Sequence, residues 1–254
     1  MKIRRILLAL LVLVCAVGVV VQPAAAQQYV QKWDMYGGYT HLNIYSPSVN
    51  MSQYGYNLSF GRNINNWLAL GADFSNFRGT GAQTTSGIKL AAKIPPELLA
   101  GLPSSYQAAI LGTSFNVPLN AETTTFALGT QFQLRKTKWI TPIFGPFLGA
   151  FHSKGVGKAK LITAKDPAIN TLLAPVLAGI VGSVPQPTLD KWMTQDATVL
   201  GYGVRGGLDF NLSKPIGLRI STEYIRTPLF GERQNNLRAG FGLIYRFGGE
   251  IKHK

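Results

Sequence analysis

The chain has 254 residues, of which 46% are hydrophobic and only 14% charged, where an average soluble domain carries about 25% charged residues. Aromatics at 11%, 28 glycines and a net charge of +14 exclude both a disordered chain and an ordinary acidic enzyme. The length suits one domain or two small ones.

At the N-terminus, Lys2, Arg4 and Arg5 precede the apolar run 6–21, and Ala24, Ala25 and Ala26 follow it. That is the pattern of a secretory signal peptide over 1–26, cleaved before Gln27. The run is short for a membrane helix, which needs about 20 apolar residues. Cys15, the one cysteine, falls inside it, so the mature domain 27–254 is expected to carry no disulfide and no lipid anchor. An exported basic chain meets anionic surfaces outside the cytoplasm; the expected partners are membrane lipids, not nucleic acid.

Downstream, no apolar stretch reaches the roughly 18 residues of a helical span. The apolar residues alternate instead. In 236–247, Leu237, Ala239, Phe241, Leu243, Tyr245 and Phe247 share one parity, opposite Arg238, Gly240, Gly242, Ile244 and Arg246. The same period-2 pattern recurs over 33–44, 51–61, 67–78, 122–134, 140–153, 198–211 and 217–227, which predicts eight strands. In the fifth, Pro142 and Pro146 each remove a ladder donor, so a bulge or distortion is expected there. Alternation alone does not say which face is inside, but the connections do. They are short at 62–66, 135–139 and 213–216 and long at about 79–121 and 154–197, as in a transmembrane barrel with short periplasmic turns and long outer loops. The long connections are themselves apolar in part. Residues 95–100, starting with two prolines and Glu97, and the run 170–184 predict short helices.

With that orientation, Trp33, Phe60, Trp67, Phe132, Trp139, Phe210 and Phe247 all fall beside the periplasmic end, as an aromatic girdle at one membrane interface. The opposite parity aims Asp73, Arg205, Asp209, Arg219, Glu223, Arg238 and Arg246 into the lumen. An eight-stranded barrel has room there only for side chains, so these ions are expected to pair and fill it.

The segments Trp33-Asp34-Met35-Tyr36-Gly37-Gly38-Tyr39, Trp139-Ile140-Thr141-Pro142, Gly206-Gly207-Leu208-Asp209-Phe210 and 237–248 resemble the outer-membrane-protein-A-like eight-stranded β-barrel family. The resemblance implies an all-β, antiparallel transmembrane barrel in the bacterial outer membrane, inserted by the barrel assembly machinery. A monomer is expected.

Enzymes on such barrels use a His with a Ser and an acid near the outer rim. His41 with Ser46 and Ser48, and the adjacent His152-Ser153, are the candidates; the adjacent pair does not match the one-residue spacing of the deacylase type, and no enzymatic role is assigned. Three histidines and no mature cysteine offer no metal-ligand spacing, and no cofactor is expected. Gly155-Val156-Gly157-Lys158 lacks the first Gly and the final Ser/Thr of a phosphate loop. Lys154, Lys158, Lys160 and Lys165 instead form a basic loop suited to lipopolysaccharide phosphates. The sequence thus predicts an outer-membrane barrel with a structural or surface-interaction role. The alternative is a narrow channel or transporter for small or hydrophobic solutes, and a weaker third is a lipid A-modifying enzyme.

Overall fold

A computed structural model describes residues 30–251 apart from 93 and 95; the signal-peptide reading of 1–26 and the last three residues lie outside the described residues. In chain order the strands are β1 (Gln31–Tyr45), β2 (Val49–Asn63), β3 (Leu68–Ser86), β4 (Ser114–Gln133), β5 (Ile140–Gly157), the two-residue β6 (Thr163–Ala164), β7 (Thr194–Asn211), β8 (Ile216–Thr227) and β9 (Gln234–Glu250). The long strands pair antiparallel with their neighbours, β5 passing directly to β7, and β1 pairs with β9, so the sheet closes on itself. Closure is what lipid demands, because an open edge would leave backbone donors and acceptors with no partner. All eight predicted strands are present.

Outward side chains form an apolar band. On β7 it runs from Phe210 through Leu208, Val204 and Tyr202 to Leu200, which is 70% exposed. Ten residues on strands tilted by roughly 40° cover about 25 Å, the height of a membrane's apolar layer. Beyond it the outward positions turn polar: Asn76, Arg78 and Thr80 on β3, Glu122 and Asn120 on β4, Lys154 on β5.

One expectation is corrected and another is met in part. β3 and β4 remain paired as far as Ser86↔Ser114, and β5 and β7 as far as Val156↔Thr194. The connections expected at 79–121 and 154–197 therefore shrink to 87–113 and 158–193. The lipid-facing alternating signal fades where lipid ends, since the outward face then takes polar residues, yet backbone pairing continues. In β5 the expected distortion is present as a gap in the pairing with β4, without a bulge. The β5–β7 register runs unbroken through Pro142↔Leu208 and Pro146↔Val204, while pairing with β4 lapses between Gly129↔Phe147 and Phe132↔Phe144 without a shift. The Pro142 carbonyl accepts from Leu134 N–H at 2.9 Å, which puts the missing proline donor on the β4 side; strand alternation puts that of Pro146 there too.

The outer connections fold into helices α1 (Gly87–Ala91), α2 (Pro96–Ala100), α3 (Ser104–Gly112), α4 (Pro167–Ser183) and α5 (Gln186–Met193). Asp166 caps α4, its Oδ1 accepting from Ala168 N–H at 2.9 Å, and Pro167 opens the first turn. Leu90, Ile110, Phe115, Leu173, Leu177, Leu189 and Met193 share one buried cluster. The two connections thus pack on each other as a single cap over the outer mouth. Among the described residues no single helix is long and apolar enough to cross a membrane.

Where β2 and β3 cross, a Cβ on Gly55 would lie 1.8 Å from the Asn76 carbonyl oxygen. Gly55→Ala is expected to lower stability by about 1–3 kcal/mol in urea titrations of the micelle-bound barrel. Gly112→Ala, with nothing within 4 Å of the new Cβ, is the control and should change it by less than about 0.5 kcal/mol.

Candidate functional site

Strand alternation brings every inward ion predicted from the sequence into two paired clusters. The lower one lies at the end where both described chain ends and the short turns sit. Asp209 accepts from Arg219 Nε at 2.7 Å and Nη2 at 2.8 Å, a two-pronged pair, and from Arg246 Nη2 at 3.4 Å. Arg246 Nε also lies 3.9 Å from Asp34 Oδ1. Arg219 Nη1 donates to Gln131 at 3.1 Å, and its guanidinium covers the Tyr36 ring. Arg135, in the β4–β5 turn, donates to Gln133 and closes the floor.

The second cluster lies mid-lumen. Asp73 on β3 accepts from Arg205 of β7 at 3.0 Å, from both terminal nitrogens of Arg238 of β9 at 3.1 Å, and from Asn57 of β2 at 2.6 Å. Glu223 on β8 lies 2.5 Å from Arg205 Nε and 2.5 Å from Arg238 Nη2. Two acids and two arginines thus form a neutral set drawn from four strands. Ser75 completes it, accepting from Arg238 Nη1 at 2.6 Å. Arg205 and Arg238 also lie over the rings of Phe147 and Phe77.

Above these ions the lumen becomes apolar. Leu42, Ile44, Met51, Phe77, Phe151 and Ile225 belong to one buried cluster. A cavity of about 40 Å³ separates it from the cap, lined by residues that include Val49, Met51, Leu90, Val117, Met193 and Phe230. From the periplasmic end outward, the interior is therefore an ionic floor, a neutral ion set, an apolar plug and a helical cap.

The aromatic residues form two stacks and two separate positions. Trp33, Phe60 and Phe247 are in contact, with centroids 5.0 Å and 6.3 Å apart, and Tyr245 extends the group. Trp67 stacks on Phe132 at 6.0 Å and Phe132 on Phe144 at 5.1 Å. Trp139 is 73% exposed, and Phe210 lies opposite Ile140 and Leu218 in the ladders. Phe144, Tyr245, Asp34, Asn57 and Arg135 are absent from the predicted set. Parity marks the first four; Arg135 gives no signal, because it folds inward from a turn.

At the outer rim, His41 Nε2 lies 2.6 Å from Ser52 Oγ and its ring stacks on Tyr54. Ser46 and Ser48 instead donate to Glu232 Oε2, at 3.0 Å and 2.6 Å, tying the β1–β2 turn to the β8–β9 turn. His152 and Ser153 point to opposite faces, as neighbours in a strand must. His152 meets Thr198 at 2.9 Å outside, and Ser153 meets Thr123 at 3.1 Å inside. The adjacent pair is thus not a nucleophile with its base. Among the described residues no group of His, Cys, Asp and Glu could hold a metal ion.

The four lysines of the basic loop are all exposed. Lys154 lies in the ladder between Glu122 and Asp196, Lys158 and Lys160 are at the turn Ala159–Leu161, and Lys165 follows β6.

A closed, lipid-banded antiparallel ring with a filled lumen defines the class: a transmembrane β-barrel. The family model "Outer membrane protein beta-barrel domain" matches residues 11–247, and the chain belongs to that family, which places it in the bacterial outer membrane. No curated protein matches it. Among solved structures it is similar to Neisserial surface protein A, with 11% identity over 85% of this chain and 97% of that one and a TM-score of 0.48. It is also similar to Ail of Yersinia pestis in complex with sucrose octasulfate, with 14% identity over 85% and 99% and a TM-score of 0.45. For OprG of Pseudomonas aeruginosa the figures are 9%, 87%, 98% and 0.43.

Removing one member of a buried ionic set strands the others. Asp73→Ala is expected to cost about 3–5 kcal/mol in urea titrations, whereas Arg78→Ala, which breaks the exposed Arg78–Glu122 pair, should cost no more than about 1 kcal/mol. A second expectation concerns pH. The Ser48 and Ser46 hydroxyls hold the Glu232 carboxyl below its ordinary value. A depressed folded value means that the tie between the outer turns is complete above the ordinary carboxylate range and is lost as pH falls through the folded value. The Ser48 amide NMR signal should therefore titrate with a midpoint below about 4.3, the value of a free glutamate.

Proposed function

We propose that the protein is a non-conducting outer-membrane anchor that presents the helical cap at the cell surface and binds the phosphates of the outer leaflet. The observation that carries this reading is the filled interior. Every inward ion predicted from the sequence is paired, the cavity between the two ion clusters, lined by Asp34, Tyr36, Asp73, Arg205 and Arg219 among others, measures only about 30 Å³, and the apolar plug and cap lie above, all of which supports a lumen closed to solutes. The mass invested beyond the membrane is a packed unit, which suits a display or contact role better than a gate.

Lys158, Lys160 and Lys165, with Lys154 below them, are the groups expected to reach lipopolysaccharide phosphates. In this reading the barrel is a monomer, inserted by the barrel assembly machinery, with lipids as partners and no enzymatic activity or cofactor. The channel reading would require both ion clusters and the apolar plug to open together.

The test uses the full chain in two assays. Planar-bilayer recordings should show no conductance steps. Replacing the four lysines by glutamine should weaken lipopolysaccharide binding by at least about tenfold, given roughly 1 kcal/mol for each cation at an anionic surface. Conductance steps together with unchanged lipopolysaccharide binding would favour the channel.

A further inference from the structure

The periplasmic rim carries exposed cations with a single exposed acid among its described residues. Lys32 on β1, Arg62 on β2, Lys136 and Lys138 in the β4–β5 turn and Lys214 in the β7–β8 turn are all exposed. They are distributed around the ring, not gathered on one side. Among the described residues of this rim the exposed acid is Glu250; Asp34 and Asp209 point inward to arginines. In the outer part of the ladder, by contrast, cations sit beside acids: Lys154 lies between Glu122 and Asp196, and Arg78 binds Glu122.

The position of these cations selects their partner. Lys32 immediately precedes Trp33 and Lys138 immediately precedes Trp139. The Arg62 guanidinium lies over the Trp33 ring, 5.4 Å from its centroid. Interfacial aromatics sit at headgroup depth. A cation one residue further out, about 3.3 Å along the strand, is therefore level with lipid phosphates: Arg62 lies over the Trp33 ring, while Lys32, on the opposite parity to Trp33, reaches that level from the mouth of the barrel.

We infer that these residues form a basic collar that binds anionic phospholipid headgroups, such as phosphatidylglycerol, in the inner leaflet. The collar would recruit an anionic annulus from a mostly zwitterionic leaflet and fix the depth of the barrel from below. It stands independently of the proposed role of the outer lysines.

The test incorporates the full chain into nanodiscs containing phosphatidylethanolamine and phosphatidylglycerol, extracts it in mild detergent and counts the retained headgroups by native mass spectrometry. Phosphatidylglycerol should be enriched over its bulk fraction by at least about fivefold, the effect of a single cation–headgroup contact. The combined variant K32Q/R62Q/K136Q/K138Q/K214Q should fall to the bulk ratio, and the outer variant K154Q/K158Q/K160Q/K165Q should keep the enrichment. A bulk ratio in the unmodified protein overturns the collar, as does enrichment that survives in the rim variant or disappears only in the outer one. Should the rim variant not fold, as judged by loss of its heat-modifiable gel band, raising salt from about 50 mM to about 500 mM decides the matter on the unmodified protein. Loss of enrichment supports the collar and persistence overturns it. Salt-sensitive binding of soluble polyglutamate without lipid enrichment would assign the rim to an acidic periplasmic polymer and overturn the lipid reading.

Discussion

The pairing of charges inside the ring is the constraint on which the rest depends. A barrel of eight strands holds side chains and little water, so an inward ion left without a partner would cost several kcal/mol. The strands carry their charges in complementary order: Arg205 and Asp209 on β7 lie directly opposite Glu223 and Arg219 on β8. A slip of one residue would turn these ions toward lipid. A slip of four would set Arg205 against Arg219, or Asp209 against Glu223. Asp73 then reaches across the lumen to Arg205 and Arg238, which ties β3 to β7 and β9 and makes closure of the ring and pairing of the charges one event.

The upper half of the molecule follows from the lower. Once the ions are matched, the remaining inward positions have no charge to serve, and apolar side chains fill them as in a soluble core. The ladders of β3 with β4 and of β5 with β7 carry that core past the membrane, where outward polar residues take over from apolar ones. The cap seats its own cluster on top. Ser46 and Ser48 bind Glu232, joining the two remaining outer turns, β1–β2 and β8–β9. The left-handed backbone of Phe230, with φ at 54°, places that ring against the cavity beneath the cap.

Much of this is written in the chain at period two. The eight strands, their facing and the inward ions can be read because lipid and lumen impose opposite chemistries on alternate residues, and each strand repeats the contrast. Where one of the two environments ends, the contrast ends. Strand extension through Thr80–Ser86 is invisible for that reason, since water on the outside asks nothing apolar of the chain, whereas Ser114–Asn120 does alternate, with Phe115, Val117 and Leu119 buried, but with its apolar parity facing inward instead of toward lipid. The partners of the ions are also hidden. Parity shows that Asp73 and Arg238 both point inward, but 165 positions separate them, and only the curvature of the closed sheet brings them together. Arg135 is hidden in another way, as a turn residue that folds back under the floor. The rim histidines show the opposite limit: His152 beside Ser153 looks like a pair on paper, and strand geometry sends the two to different sides.

The most direct test of a sealed interior is cysteine accessibility at Thr125. Its side chain is inward and 1% exposed, and the chain's one native cysteine, Cys15, lies in the segment read as a signal peptide. In the reconstituted barrel carrying Thr125→Cys, a small, charged, membrane-impermeant thiosulfonate should leave the thiol unmodified from either side of the bilayer until the protein is denatured. Rapid modification in the folded barrel, from either side, would mean that water and ions reach the centre of the lumen, and the account of a filled, non-conducting barrel would be wrong.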